Sequence, residues 1–307
     1  MPRVRFISKK NGGQGSAFNA GIGEARGEIV AFLDGDDWWM PQKLRNVAQV
    51  FYSEPDVGLV GHGFTQIYPD GHAKKEVSRA MTRFRLRSRE DAKTFRLRRG
   101  FLGTSRMAYR RQVLQRIGTV PECLTFEADE YLFTLAGLYA DVQILPETYT
   151  FYRLHHSNLF QFREGSDEKT RRKQQILAAL AQCLKERLTE ERVAADVARA
   201  ILECVELEAE GLRLMLDPGL PWETVRTELQ IMRVFHSDAS IWQRLFTCAR
   251  LAPALVMPSN VYYRSRQKLS TGTLYNHFRR RFFPFPTQPH VMHEDKPPEA
   301  SHVPGRG

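Results

Sequence analysis

The feature that most constrains this chain is an apolar run that ends abruptly in carboxylates. Residues 29–33 have the composition of a buried strand, and Asp34, Asp36 and Asp37 follow it directly. Open α/β folds bind ligands at the carboxyl ends of their strands, so we expect these side chains at the mouth of a sheet. Such oxygens suit Mg²⁺ or Mn²⁺, which commonly leave coordination positions for substrate phosphates. The alternative is an acidic turn that ends the strand and caps the next helix.

Size and charge set the broad class of the protein. The 307 residues can form one large domain or two modest ones, and a hydrophobic content of 42% is typical of a globular protein. The net charge of +10 predicts anionic partners, namely nucleotide diphosphates, acidic lipid surfaces or nucleic acid. Charge alone does not choose among these three.

The cysteines and the apolar runs indicate a cytosolic protein. Cys123, Cys183, Cys204 and Cys248 are far apart and have no C-x-x-C spacing, so we expect reduced core residues without a zinc site or disulfides. No apolar run approaches the ~18–20 residues of a membrane span, and no signal peptide opens the chain.

Residues 4–62 alternate between strand-like and helix-like patterns. Ser16 is a favourable helix N-cap, Gly27 suits the position just beyond a helix end, and Pro41 suits a helix start. The patterns predict strands over 4–7, 29–33 and 56–60, with helices over 16–26 and from 41 onward. This order predicts a mostly parallel sheet.

Eight arginines lie between residues 79 and 99. Arg83, Arg85, Arg87 and Arg89 occupy alternate positions, so a strand would place all four on one face. A solvated edge strand explains this spacing, because charge commonly protects sheet edges. The functional alternative is a cationic surface for an anionic acceptor or a membrane.

The sequence becomes helical from residue 167 onward. Leucines recur at helical spacing between residues 177 and 188, and Thr189 is placed to cap a second helix that ends at Asp217. Further helical patterns cover about 222–235 and 240–251.

Residues 250–286 combine aromatic and cationic side chains, including Tyr262, Tyr263, Phe278 and the Arg279–Arg281 triplet. Such a segment can hold a protein at an anionic membrane surface, or its aromatics can pack on the rest of the protein. The polar, proline-rich residues 286–307 are predicted to be disordered.

Two further segments contain groups suited to a site. A glycine-rich stretch over 11–21 precedes a predicted helix, whose N-terminus can face an anion. Glu127, Asp129 and Glu130 open an apolar helical run. There they either complement the helix dipole or place one carboxylate to accept a proton from a hydroxyl.

A last segment combines Arg153, which suits phosphate, with His155, which suits a metal or a proton. In this order and spacing, the segments resemble family 2 glycosyltransferases of the GT-A fold. The family's blocks, Asn-x-Gly-x-x-x-Ala-x-Asn-x-Gly, Leu-Asp-x-Asp-Asp-x-x-x-Pro, an acidic segment and Tyr-Arg-x-His, match residues 11–21, 33–41, 127–130 and 152–155. The joint pattern is specific although each piece is common.

The resemblance implies a role for each matched residue. Asp36 would be the chief ligand of Mg²⁺ or Mn²⁺, with Asp34 and His155 beside it. Asp129 would be the general base, and Glu127 and Glu130 are close alternatives. Asp34 would also help to hold the nucleotide, Asp37 would shape the metal loop, and Arg153 and His155 would meet the diphosphate or the metal from the opposite side. The residues implied to bind the donor are Asn11, Gly15, Asn19, Asp34, Asp37 and Arg153.

Two departures from the family pattern matter. The family's usual Ala-Arg-Asn is Ala17-Phe18-Asn19 here, so one phosphate-facing cation is missing or supplied elsewhere. The opening segments that grip the nucleotide base and ribose do not occur. We therefore expect an amino-terminally truncated fold that lacks about 60–70 residues, the usual size of two further β/α units.

The resulting prediction is an α/β chain with a partial GT-A, Rossmann-like domain at 1–165, a helical region at 166–285 and a disordered tail at 286–307. The implied activity is inverting transfer of a sugar from a nucleotide-sugar donor to a hydroxyl of a saccharide, lipid-linked or protein acceptor. We expect a cytoplasmic protein at the inner face of the cell membrane, in peripheral contact with anionic lipid and without a nucleic-acid partner.

Two alternatives stay open. The chain could be a non-catalytic truncated relic or an accessory subunit, or a peripheral membrane-binding protein that uses residues 79–99 and 250–286. Neither alternative explains the acidic cluster together with the Tyr-Arg-x-His segment.

Overall fold

A mixed eight-stranded sheet is the centre of the fold in the computed structural model, which describes residues 4–155, 167–235, 240–271 and 291–295. Its strands are β1 (Ile29–Ala31), β2 (Trp38–Trp39), β3 (Val57–Ile67), β4 (Ala73–Ser78), β5 (Thr82–Phe84), β6 (Ala108–Arg110), β7 (Asp141–Arg153) and β8 (Val291–Asp295). The helices are α1 (Gly13–Glu24), α2 (Lys43–Ser53), α3 (Arg89–Arg98), α4 (Arg111–Ile117), α5 (Ala128–Tyr139), α6 (Asp167–Glu190), α7 (Ala195–Leu216), α8 (Pro221–Phe235), α9 (Ile241–Arg250) and α10 (Ser259–Thr271).

The long strand β3 organises the sheet. Its first nine residues are all buried, so both faces of the strand are covered. On one side β3 pairs antiparallel with β6 and β4, which in turn pair with β1 and β8. On the other side it pairs with β7, to which β2 and β5 add as antiparallel neighbours.

The predicted α/β class with a helical C-terminal region is confirmed, but the prediction of a mostly parallel sheet is wrong. Of the seven pairings among the described strands, only β3 with β7 is parallel. The hairpin of β3 and β4 and the returning strand β6 introduce antiparallel neighbours, which the strand–helix alternation of the first residues did not reveal.

The first residues of the chain differ from the prediction. No strand forms over 4–7, where Val4 and Phe6 are 81% and 91% exposed. Helix α1 begins at Gly13, whose φ of +79° favours glycine, so Ser16 lies within the helix and does not cap it. The strand predicted over 56–60 is longer than expected and continues to Ile67.

The basic run from 79 to 99 is a strand only over Thr82–Phe84. Ser88 caps α3 by accepting the Asp91 N–H at 3.1 Å, and this helix start ends the alternation that predicted a strand through Arg89. Arg83 forms ion pairs at 2.8 Å with Glu54 and with Asp141. Part of the predicted cationic surface is therefore neutralised within the fold.

Helices α6 and α7 pack on the α/β part of the chain. The predicted leucines of α6 are buried, and they share one core cluster with Leu59 of β3 and Leu132 of α5. Thr189 does not cap a helix, because α6 continues to Glu190 and α7 begins at Ala195. The helices predicted near 222–235 and 240–251 are present as α8 and α9. One hydrophobic core therefore contains residues from both sides of residue 165, and the domain boundary predicted there stays a prediction.

The cysteine prediction is correct in part. All four thiols are free, but Cys204 is buried whereas Cys123 and Cys248 are exposed, so these two are not core residues.

The region predicted to face a membrane is partly buried. Tyr262 and Tyr263 pack with Leu214 and Leu251, so the packing alternative holds for both tyrosines. Phe278 and the arginines at 279–281 lie outside the described residues. Within the predicted disordered tail, Val291–Asp295 forms β8 on β4, which corrects that prediction for this segment, and the rest lies outside the described residues. None of the described helices has the length and apolar character needed to cross a bilayer.

Candidate active site

A cavity of about 340 Å³ brings together carboxylates from distant parts of the sequence. Asp34 and Asp37 come from the loop between β1 and β2, while Asp129 comes from the first turn of α5. Glu127 and Glu130 also line this cavity. The folded chain therefore places the predicted donor-side and base residues around one space.

The loop after β1 is a turn, not an extended strand end. The Asp37 N–H donates to the Asp34 carbonyl at 3.2 Å. On an extended strand Asp34 and Asp36 would point the same way, but the turn breaks this strand alternation. Asp34 and Asp37 line the cavity, whereas the Asp36 carboxylate lies 2.9 Å from His155 Nε2.

The carboxylates of the loop repel one another. Burial, followed by the charges of Asp129, Asp37 and Asp36, raises the pKa of Asp34 to about 7. Burial also raises the pKa of Asp37, against the hydrogen bonds that this carboxylate accepts from Ser105 and from the Arg153 N–H. Such a cluster favours a proton or a cation at this position.

Ser105, which the sequence analysis did not identify, fixes the acidic loop. Its hydroxyl accepts the Asp34 N–H at 3.0 Å, and its carbonyl accepts from Trp39 Nε1 at 3.0 Å and Lys43 Nζ at 2.6 Å. Lys43 is fully buried, and this burial lowers its pKa to about 7. Ser105 lies in a short 3₁₀ turn. The segment from Thr104 to Gly118 resembles the acceptor-side region of family 2 glycosyltransferases, but that resemblance assigned no role to Ser105.

Asp129 is held by the same 3₁₀ turn. Its Oδ2 accepts the Thr104 N–H at 3.2 Å and the Thr104 hydroxyl at 3.1 Å. Burial raises the pKa of Asp129, while the Thr104 hydrogen bonds and the Arg106 charge oppose that rise. A carboxylate with a raised pKa and a fixed orientation suits a general base.

The two alternative bases are each close to a cation. Glu130 is 2.7 Å from Arg99, which also meets Glu208 of α7 at 2.8 Å. Glu127 has a left-handed φ of 61° and lies 3.8 Å from Lys173 of α6. In the part of the chain that the structure describes, no cation lies within 4.0 Å of Asp129. Asp129 is therefore the least neutralised of the three predicted bases.

Arg106 is a second residue that the sequence analysis missed. Its guanidinium lies 4.4 Å above the Phe64 ring centroid and donates to the Gly100 carbonyl at 2.8 Å. Burial raises the pKa of Asp34, Asp37 and Asp129, and the Arg106 charge opposes each of these rises. Arg106 is thus a cation that lines the cavity. It is a candidate for the phosphate-facing cation that the family has at the position of Phe18.

The glycine-rich segment is used mainly for packing. Asn19 exchanges two hydrogen bonds with the Val120 backbone, and Asn11 accepts the N–H of the residue two positions later. The Gly15 N–H donates to the Leu124 carbonyl at 3.0 Å. Because neighbouring carbonyls take first-turn N–H groups of α1, the expectation of an anion-facing helix N-terminus here is wrong. Donor binding by Asn11, Gly15 and Asn19 stays a prediction.

Gln14 of the same segment reaches the cavity. Its amide donates to the Thr104 hydroxyl at 3.0 Å and accepts the Ala128 N–H at 2.8 Å. Gln14 therefore links α1 to the groups that hold Asp129. The glycine-rich sequence pattern did not indicate this role.

The end of β7 meets the acidic loop. The Arg153 N–H donates to Asp37 Oδ1 at 3.2 Å, and the Arg153 guanidinium lies 5.0 Å from the Trp38 ring centroid. The pairing of β2 with β7 creates this contact, because it sets Trp38 opposite Phe151. The Tyr-Arg-x-His and Asp-x-Asp segments are therefore adjacent in the fold.

The donor set has the chemistry of a hard-cation site that is shared with substrate. The described residues contain no group of three or more His, Cys, Asp or Glu side chains arranged to hold a metal ion by themselves. Mg²⁺ usually takes one or two carboxylates together with substrate phosphates, and Asp36 beside His155 supplies such a partial set. Burial, and after it the repulsion from Asp129, Asp37 and Asp36, raises the pKa of Asp34, and this is a second observation that fits a cation at this loop.

Comparison with known proteins finds a family that the first part of the chain resembles. Residues 1–118 match the sequence family described as Glycosyl transferase family 2. An uncharacterized glycosyltransferase of Nostoc sp. is 36% identical over 161 residues, which cover 51% of this chain and 48% of that protein. The uncharacterized glycosyltransferase EpsJ of Bacillus subtilis is 29% identical over 188 residues, covering 58% and 53% of the two chains.

A shorter match carries a higher identity. The succinoglycan biosynthesis protein ExoO of Rhizobium meliloti is 51% identical over 49 residues, 16% of this chain and 14% of that protein. The chain spans about half the length of the curated relatives that it matches most extensively. Residues 1–118 of the chain are therefore similar to glycosyl transferase family 2.

Proposed function

We propose that this chain transfers a sugar from a nucleotide-sugar donor to a hydroxyl acceptor, with inversion at the anomeric carbon. The observation that carries the proposal is the cavity in which Asp34 and Asp37 share one space with Asp129. The similarity of residues 1–118 to glycosyl transferase family 2 supports glycosyl transfer, and this arrangement supplies a donor side and a base side for it.

On the donor side, the diphosphate lies against the loop between β1 and β2. Arg106 and Arg153 are the cations nearest to the acidic loop that suit phosphate oxygens, and Asp34 and Asp37 orient the nucleotide. Mg²⁺ or Mn²⁺, held by Asp36, Asp34 and His155, would neutralise charge on the leaving diphosphate.

On the acceptor side, Asp129 removes the proton of the attacking hydroxyl. Thr104 holds the carboxylate through two hydrogen bonds, so its orientation is set before the acceptor arrives. Attack from the face opposite the leaving diphosphate inverts the anomeric centre, as in inverting glycosidases. The acceptor is a saccharide, lipid-linked or protein hydroxyl.

A first test of this function measures donor binding. Titration calorimetry of nucleoside diphosphates with Mn²⁺ should show binding that is lost when the metal is chelated. The same titration on a version extended upstream of residue 1 distinguishes a catalytic chain from a relic or accessory subunit. Metal-independent binding, or no binding by either version, would count against the proposal.

A peripheral membrane location remains a second proposal, with one observation in its favour. Leu255, Val256 and Val261 are exposed apolar side chains within the segment predicted to meet a membrane. Sedimentation with acidic and neutral liposomes tests it. Replacing Leu255 and Val256 by serine should reduce binding to acidic liposomes, and unchanged binding would make this patch irrelevant to membranes.

A further inference from the structure

A second cavity, of about 890 Å³, lies apart from the carboxylate site and shares no lining residue with it. Its walls come from α3, α7, the end of α8 and α9. Nothing in the proposed transfer reaction uses this space. Its lining includes Arg89 and Arg96 from the later part of the basic run over residues 79–99. Arg83, in the earlier part of that run, is neutralised by ion pairs with Glu54 and Asp141.

The lining of this basic cavity is unbalanced in charge. Six cationic side chains face three acidic ones. The cations are Arg89, Lys93, Arg96, Arg199, Arg233 and Arg244, and the acids are Glu90, Asp196 and Glu203. Concave surfaces with one excess charge concentrate the electrostatic field and attract counter-ions.

Four arginines of the basic cavity differ from the arginines that form close ion pairs elsewhere in the described residues. Arg83, Arg99 and Arg213 each lie within 3.0 Å of a carboxylate oxygen. By contrast, no carboxylate of the described residues lies within 4.0 Å of Arg89 or Arg199, nor of Arg96 or Arg233. The fold therefore leaves these four guanidinium charges without the close carboxylate that it gives to Arg83, Arg99 and Arg213.

Arg96 adds a second observation. Its Nε is buried and has no hydrogen-bond partner among the described residues. A buried donor without an acceptor costs free energy, and an anion in the cavity would supply the acceptor.

The arginines stand on helices whose positions are fixed by the main core. Ala92 and Phe95 of α3 and Ala200 of α7 are all buried. They belong to the hydrophobic cluster that also contains Leu59 of β3 and Val142 of β7. The separation between Arg89 and Arg96 on one helix and Arg199 on the other is therefore set by packing. A rigid arrangement lowers the entropic cost of binding a ligand that contacts both helices.

We propose that the basic cavity binds a multiply charged phosphate-bearing ligand. Guanidinium groups donate paired hydrogen bonds that match phosphate geometry, and arginines from two helices require more than one anionic group to be satisfied together. The ligand is either a soluble phosphate ester or the phosphate of a lipid headgroup. This site is independent of the proposed sugar transfer.

The test uses inorganic tripolyphosphate, titrated calorimetrically into the whole chain without divalent cations. Removing two of the arginines in an Arg89→Gln/Arg199→Gln double variant should weaken binding by about tenfold or more, because charged hydrogen bonds are lost. Both side chains are exposed, so the variant should fold. A melting temperature equal to that of the natural chain would confirm that the double variant folds. If its melting temperature is lower, the single Arg199→Gln variant replaces it in the titration.

The matched control is Arg45→Gln, which removes an exposed arginine of α2 outside the cavity. Its affinity for tripolyphosphate should equal that of the natural chain. Asp36→Asn should also leave it unchanged, which separates this site from the donor site.

A vesicle arm distinguishes the two sources of phosphate. The ligand is a lipid headgroup if the natural chain binds phosphatidylglycerol vesicles but not phosphatidylcholine vesicles, and if the double variant loses this binding. Tripolyphosphate binding without vesicle binding identifies a soluble ligand. The proposal is overturned if the double variant binds tripolyphosphate as tightly as the natural chain, or if the natural chain binds neither probe.

Discussion

Thr104 donates both its backbone N–H and its hydroxyl to one oxygen of Asp129, at 3.2 and 3.1 Å. Each bond favours the ionised carboxylate, whereas burial favours the protonated form and raises the pKa of Asp129. The second carboxylate oxygen accepts the Glu130 N–H at 3.0 Å. Asp129 is thus oriented from both sides while remaining basic enough to take a proton.

Asp129→Asn should abolish sugar transfer and leave donor binding nearly unchanged, because a base acts on the acceptor. The loss should be on the order of 10²–10⁴-fold in kcat. Calorimetry of the nucleoside diphosphate supplies the binding measurement. Full activity would move the role to Glu127 or Glu130, and an equal loss of donor affinity would place Asp129 among the donor ligands.

Thr104→Val should leave a smaller fraction of Asp129 ionised at low pH without removing the base. The substitution deletes the hydroxyl hydrogen bond but keeps the backbone one, so the pKa of Asp129 rises further and activity below neutral pH falls about tenfold. The acid limb of the profile of kcat/KM against pH should move to higher pH. Thr134→Val is the matched control, since the buried Thr134 hydroxyl has no hydrogen-bond partner among the described residues.

Asp36→Asn should impair metal-dependent transfer more than Asp37→Asn does. Asp36 contacts His155 at 2.9 Å, while Asp37 is already engaged by the Arg153 N–H. Activity measured against Mn²⁺ concentration separates the two variants. Near-normal activity in Asp36→Asn together with loss in Asp37→Asn would reverse this assignment of the chief metal ligand.

Arg106→Gln should raise KM for the donor and lower kcat/KM by about 100-fold, because it removes a cation from the cavity. Arg106→Lys keeps the charge and should restore part of the loss. Arg45→Gln, on the exposed face of α2, should have no effect on kinetics. Equal kinetics for Arg106→Gln and the natural chain would exclude a role in donor binding.

His62 should make the fold sensitive to acid. His62 is fully buried, and its Nδ1 is hydrogen-bonded to the Gly63 carbonyl at 2.7 Å. Its Nε2 has no hydrogen-bond partner among the described residues. Burial, aided by the Lys43 charge, lowers the pKa of His62 to about 3. The unfolded chain protonates it near pH 6.5, so this contribution to stability is complete above that pH and is lost as pH falls toward 3.

The corresponding variant is His62→Gln, which cannot be protonated. Between pH 6 and 4 its free energy of unfolding should fall less steeply than that of the natural chain, by up to about 1.4 kcal/mol per pH unit. Urea unfolding across this range measures the difference. His72→Gln, at an exposed histidine, should follow the natural chain, and identical slopes for His62→Gln would contradict the predicted pKa.

Motif-bearing parts of the site could be predicted from the sequence, because each motif is local. The acidic loop, the Glu127–Glu130 segment and the Arg153 segment were all recognised, and the fold brings them together. Ser105, Thr104 and Arg106 were not recognised, because their importance arises from the three-dimensional contact of a short turn with two distant loops.

The errors in the fold have the same origin. Strand periodicity after residue 62 is weak, so the antiparallel neighbours β4 and β6 could not be placed. The strand predicted at 4–7 has the right composition but no described strand pairs with it, and pairing is a long-range property. The turn at Asp34–Asp37 overrode the strand alternation because Gly35 and its acidic neighbours favour turns.

The most direct test of the central claim is the release of nucleoside diphosphate from a panel of nucleotide sugars in the presence of Mn²⁺. The chain, or its upstream-extended version, should release product from at least one donor. Asp129→Asn and Asp36→Asn should release none above background, while Thr134→Val should match the natural chain. Release that continues undiminished in Asp129→Asn, or its absence for every donor in both versions, would contradict the account.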